Sequence, residues 1–117
     1  MHNYKKLTVW QKSVDLAVEM YTLTKKFSSE KKFGLVSQIR KCVVSIASNI
    51  AEGAGRNTVG EFIQFIGVSE GSVNELETQI IISERLGYIT NAELEKTNCS
   101  ISEIRKMLFS LKKSLKR

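Results

Sequence analysis

The chain has 117 residues, 42% hydrophobic and 26% charged, which suits one domain (1–117) burying about two-thirds of its unfolded surface. Eighteen Lys and Arg against 12 Asp and Glu leave a net charge of +6, a balance that attracts polyanions. No stretch approaches the ~18 consecutive apolar residues of a membrane span, and Met1 to Lys6 has no signal-peptide pattern, so a cytoplasmic protein without a membrane partner is expected.

Cys42 and Cys99 have neither metal-ligand spacing nor the density of a secreted disulfide scaffold, and they read as reduced, structural thiols. The one histidine is His2, at the terminus. Without a histidine in the body of the chain, no triad, metal cluster or paired carboxylates assemble, so a non-enzyme with no cofactor and no catalytic or metal residues is expected. Proline is absent and few stretches alternate with a strand's period, which predicts an all-α domain.

The first helix is predicted from Thr8, where Thr8 and Gln11 make a capping box. Trp10, Val14, Ala17, Met20, Tyr21 and Phe27 form its apolar stripe, widened by Val9, Leu16 and Leu23, over about 20 residues. Its aromatic residues read as core. A platform for stacking bases would instead need exposed rings with basic residues interleaved on one face. Phe27 to Gly34 is a short polar connection, as between antiparallel helices.

The second helix carries Leu35, Ile39, Val43, Ile46 and Ile50 on one side. A helical wheel sets Gln38, Ser45, Asn49, Glu52 and Arg56 in a narrow polar stripe beside them. Val44, Ala47, Ser48, Ala51 and Gly55 form a third sector, small enough to act as a second packing surface within the bundle or against another subunit. The stretch S-N-I-A-E-G-A-G-R lacks the glycine spacing, lysine and Ser/Thr of a phosphate-binding loop. Gly53 is instead expected to supply a left-handed cap and Gly55 a tight turn, with Glu52 and Arg56 paired four apart. Ser45, Asn49, Glu52, Gly53, Gly55 and Arg56 thus form a structural motif at a helix corner.

The third helix opens on a capping box of Thr58 and Glu61 and runs to a cap at Gly87. Its stripe is Val59, Phe62, Ile66, Val73, Leu76 and Ile80, broadened by Ile63, Phe65, Ile81, Ile82 and Leu86. Gly67 and Gly71 each cost roughly 1 kcal/mol relative to alanine inside a helix, and close contact with a partner helix would explain them. Five glutamates face Arg85 alone, so this helix is acidic.

Several runs carry a family resemblance: Y-K-K-L-T-V-W-Q-K, G-L-V-S-Q-I-R-K, S-I-A-S-N-I-A-E-G-A-G-R, E-F-I-Q-F, G-S-V-N-E-L-E-T-Q and L-G-Y-I. From Tyr4 to the last helix the chain resembles the small bundle proteins encoded in intervening sequences of bacterial 23S ribosomal RNA genes. That resemblance implies an up-down-up-down antiparallel four-helix bundle assembled into a homopentameric ring. The family is also similar to the accessory variability protein of diversity-generating retroelements, a basic pentameric bundle that works with a reverse transcriptase and nucleic acid. Ser28 and Ser29 stand where relatives commonly have proline, and Ala47 stands in place of the proline of S-I-P. Ser69 and Glu70 precede G-S where many relatives carry a basic residue.

The last helix opens on a capping box of Thr90 and Glu93, with Leu94, Ile101, Ile104, Leu108, Leu111 and Leu115 near heptad spacing. Arg105, Lys106, Lys112, Lys113, Lys116 and Arg117 lie to one side of that seam without an acid among them. A helix C-terminus favours some cations, but this cluster exceeds that need and is the candidate nucleic-acid surface. A pentamer would carry about +30, a strong field for RNA or DNA. The expected function is sequence-nonspecific nucleic-acid binding or assembly. The alternative is a scaffold whose acidic third helix meets a basic protein partner.

Overall fold

The computed structural model describes residues 2–116, with the side chains of residues 31–33 excepted. Four helices make up the fold: α1 (Thr8–Thr24), α2 (Ser37–Ala54), α3 (Val59–Arg85) and α4 (Asn91–Leu115), with no strand among the described residues. A 3-10 turn at Tyr4–Lys6 precedes α1, and a 3-10 turn and a π-helical turn, Ser29–Lys31 and Lys32–Val36, lead into α2. The particle measures 45 × 23 × 20 Å, its long axis close to the ~40 Å that 27 residues of helix span.

Each helix packs on the next, and α1 also meets α4. The contact register is legible in single bonds. Cys42 Sγ donates to the Ser72 carbonyl at 3.0 Å, Ser69 Oγ donates to the Ile46 carbonyl at 2.9 Å, and Gly53 lies against Phe62 and Phe65. Between α3 and α4, Arg105 meets Glu77 at 3.2 Å and Lys112 meets Glu70 at 2.8 Å. Between α1 and α4, Lys12 meets Glu103 at 3.2 Å, and beyond the end of α1 Lys26 pairs with Glu93.

The core is continuous along the long axis. Leu16 and Met20 from α1, Ile39, Ile46 and Ile50 from α2, Phe62, Ile66, Leu76 and Ile80 from α3, and Ile101, Ile104 and Leu108 from α4 are all fully buried. The expected stripes of α2 and α4 supply most of their shares.

The first helix differs. Its buried residues are Val9, Ser13, Leu16, Met20 and Thr24, while Trp10, Val14 and Ala17 are half-buried and Tyr21 is exposed. Two hydroxyls on the inner face are satisfied locally, Ser13 Oγ donating to the Val9 carbonyl and Thr24 Oγ1 to that of Met20, each at 2.7 Å. Because these hydroxyls cost little once bonded, the helix turns its most apolar stripe partly outward. Val59 and Ile82 on α3, and Leu86 at its C-cap, are likewise exposed rather than core.

Caps set the helix ends, with some departures from expectation. Thr8 is the first residue of α1 but caps nothing. Leu7 holds the cap position without a side-chain bond, and Gln11 Nε2 reaches back to the Lys5 carbonyl at 2.8 Å. At Thr58 the expected box is half formed: Oγ1 accepts from the Glu61 amide, while the Glu61 carboxylate accepts from that same hydroxyl and not from the Thr58 amide. Thr90 with Glu93 completes both bonds of a capping box. The Lys26 ammonium first, and the Thr90 amide second, hold the Glu93 carboxyl below its ordinary range. At the end of α3 the Gly87 amide donates to the Glu84 carbonyl and the Tyr88 amide to the Ser83 carbonyl, both at 2.9 Å. That bonding pattern needs a left-handed residue, and Gly87 has φ +77°.

Gly53 does not end a helix. It lies inside α2, which continues to Ala54, and the cap residue Gly55 has a right-handed φ of −86°. Gly53 instead marks a close approach of α2 and α3: a Cβ there would lie 2.7 Å from Phe65 Cβ and 2.9 Å from Phe62 Cδ1. Gly67 and Gly71 are the converse, exposed and with nothing within 4 Å of an added Cβ. No close contact within the chain explains them. Gly67→Ala and Gly71→Ala should each raise the stability of a single chain by about 0.5–1 kcal/mol, read from thermal melts. Loss of self-association in either variant would put a neighbouring helix on that face.

Candidate functional site

The second half of α4 brings together the basic residues marked by the sequence. Ile101, Ile104 and Leu108 anchor one side of the helix in the core, which fixes the rotation of the rest. Arg105 and Lys112, in register seven apart, turn toward α3. Arg105 donates to Asn74 Oδ1 at 2.8 Å and Glu77 Oε1 at 3.2 Å, and Lys112 donates to Glu70 Oε1 at 2.8 Å. The acidic third helix therefore finds basic partners inside its own chain. Glu70, the residue in place of a basic one before G-S, is one of those acids.

Lys106, Lys113 and Lys116 are exposed and form no ion pair among the described residues. Arg117 lies outside the described residues. Lys106 also lines a shallow groove of about 320 Å³ with Leu7, Thr8, Met107 and Leu111. Lys5 and Lys6, exposed in the turn just before Leu7, belong to the same end of the particle. Sequence periodicity gave no reason to join these two segments, which are about 100 residues apart; the α1–α4 packing does it. Phe109, between Lys106 and Lys113 on α4, is 61% exposed, a surface ring that hydropathy alone does not mark.

The Ser45 to Arg56 corner is a packing device by its geometry. Ser45 Oγ lies 2.6 Å from Ser72 Oγ on α3 and 2.7 Å from the Cys42 carbonyl. Asn49 Nδ2 donates to the Ser45 carbonyl at 2.8 Å, within the same helix. Arg56 donates to Glu52 at 2.9 Å and sets its guanidinium 4.8 Å from the centre of the Phe65 ring. Gly53 fills the close approach described above and Gly55 the exposed cap. Cys42 is buried among these residues, and burial, aided by the Glu75 carboxylate, pushes its thiol up to about 12. It stays protonated and unreactive at neutral pH.

A third surface is the outward stripe of α1. With the small sector of α2 it forms an open apolar groove of about 610 Å³, lined among others by Trp10, Val14, Tyr21, Val44, Ala47 and Ala51. Val18, at its edge, is 63% exposed. Among the described residues no three His, Cys, Asp or Glu side chains are grouped to hold a metal. No helix there is long and apolar enough to cross a membrane.

Comparison with known proteins agrees with this architecture. The profile of the 23S rRNA-intervening sequence protein family matches residues 5–110. A crystal structure of a protein of unknown function from the S23 ribosomal protein family of Bacteroides thetaiotaomicron superimposes with a TM-score of 0.84. It shares 31% identity, over 91% of this chain and 99% of that one. No curated protein matches. With a match that reaches all four helices, the chain belongs to the 23S rRNA-intervening sequence protein family.

Proposed function

We propose that this chain is a non-enzymatic, sequence-nonspecific nucleic-acid-binding protein of the cytoplasm. In this reading it is an up-down-up-down antiparallel bundle working as a homopentameric ring. The observation that carries the binding is the group of Lys106, Lys113 and Lys116, exposed on one helix without acidic partners among the described residues. Such ammonium groups neutralise phosphates and release counterions without reading bases.

Self-assembly is supported by the apolar α1–α2 groove and by the bare glycines of α3, which have no reason inside one chain. The alternating topology is supported by the contact registers, which run in opposite directions between α1 and α2 (Thr24 with Arg40, and His2 ahead of α1 with Ala54), α2 and α3, and α3 and α4. The scaffold reading, in which an acidic third helix meets a basic protein, is weaker because Glu70 and Glu77 are already engaged by α4.

The test is fluorescence anisotropy with labelled RNA and DNA oligonucleotides of unrelated sequence at low salt, alongside a light-scattering mass. Similar affinity across sequences and a mass of five chains are expected. Strong sequence preference or absence of binding would overturn the binding reading, and a mass of one chain would remove the ring.

A further inference from the structure

On α4 the exposed surface of the last turns is basic and aromatic at once. At 100° per residue, Lys106, Phe109, Lys113 and Lys116 share a sector less than a quarter of the helix wide. Phe109 is three residues from Lys106 and four from Lys113, so their Cβ atoms are spaced by about 5–6 Å. The neighbouring residue Leu108 is fully buried, which fixes Phe109 one residue around the wheel, where it is 61% exposed. No acid lies on α4 between Arg105 and Lys116. The nearest one before it, Glu103, is held by Lys12 at 3.2 Å, and Glu70 across on α3 is held by Lys112 at 2.8 Å.

An exposed phenyl ring gains little from water, and surrounding lysines make the site unsuited to an apolar protein partner. Its chemistry suits a polyanion that also offers flat apolar faces. Duplex nucleic acid presents phosphates outward but keeps its base faces stacked inside. A single strand presents both, with phosphates for Lys106, Lys113 and Lys116 and a base to lie on the ring. We propose that Phe109 is a stacking platform and that this surface takes single-stranded nucleic acid in preference to duplex. The proposal rests on the nucleic-acid-binding reading above and adds to it the form of the ligand.

The experiment compares the full chain and Phe109→Ala for binding to a labelled 20-nucleotide single strand, as RNA and as DNA, and to a duplex of the same sequence. All titrations share one salt concentration. The unaltered protein should bind both single strands about tenfold or more tightly than the duplex. Phe109→Ala should lose roughly tenfold on single strands and less than about twofold on duplex, with helicity and light-scattering mass unchanged. In a second variant, Phe109→Trp in a Trp10→Phe background, emission from the new indole should be quenched by the single strand and not by the duplex. Equal losses on both ligands, no loss on either, or an unquenched indole would overturn the stacking role. A changed mass for Phe109→Ala would also overturn it, by placing the ring at a subunit contact. Failure of the binding reading itself is distinguishable: the unaltered protein would then bind neither form at low salt.

Discussion

Gly53→Ala should lower the melting temperature by about 5–10 °C, equivalent to a loss of about 2 kcal/mol for a domain of this size. The reason is steric. An added methyl would lie 2.7 Å from Phe65 Cβ, 2.9 Å from Phe62 Cδ1 and 3.3 Å from the Phe62 carbonyl oxygen. A ring can swing away, but a Cβ and a carbonyl move only with their backbone, so α2 and α3 would have to separate. That outweighs the ~1 kcal/mol that alanine gains over glycine inside a helix. Two residues on, Gly55→Ala meets nothing nearer than 3.6 Å at a right-handed φ, and its melting temperature should stay within about 2 °C of the unaltered protein. Circular dichroism melts of the two variants check the contrast. An unchanged Gly53→Ala melt would mean that the α2–α3 approach is not tight.

Replacing Lys106, Lys113 and Lys116 together by glutamine should reduce nucleic-acid affinity by on the order of 100-fold at low salt while leaving the fold intact. None of the three contributes an ion pair within the described residues, so stability should change little. The control is Arg105→Gln with Lys112→Gln. It removes two charges from the same helix, but these are already committed to Glu77 and Glu70. Its expected signature is the reverse: a loss of up to about 1 kcal/mol in stability per pair and a much smaller loss of binding. Anisotropy titrations and thermal melts on both variants separate the two sets of cations. Equal binding losses would show that formal charge, not the position of the free lysines, governs the interaction.

The seams of α2 and α4 were legible in sequence because their apolar residues recur at helical spacing and no polar residue interrupts the core-facing set beyond Thr97 on α4. The caps at Thr58, Gly87 and Thr90 were legible because capping is local chemistry. The inward face of α1 was not. Ser13 and Thr24 look like surface residues in a hydropathy pattern, and only their bonds to carbonyls four residues back let them sit in the core. Gly53 differs from its expected role for a related reason: near a helix end, a glycine needed for capping and a glycine needed for close packing are the same letter. What separates them is the position of Phe62 and Phe65 on another helix.

The candidate site was legible as a charge cluster and not as a surface. Arg105 and Lys112 could not be told from Lys106 and Lys113 until Glu77 and Glu70 were placed opposite them. Phe109 follows a buried leucine in a helix rich in core positions, so only the helix rotation set by Leu108 marks it as exposed. Leu7, which follows Lys5 and Lys6, meets Lys106 across a groove, a contact with no local signature.

If the free lysines of this basic surface bind nucleic acid through its phosphates, as proposed, affinity must fall as salt rises. Anisotropy titrations of the unaltered protein with one oligonucleotide between about 50 and 200 mM salt should give a straight plot of log affinity against log salt. Its slope should be steeply negative and should become less negative by about 2 to 3 in the Lys106, Lys113 and Lys116 variant, per chain engaged. An affinity independent of salt, or a slope that the three substitutions leave unchanged, would rule out phosphate binding by these lysines.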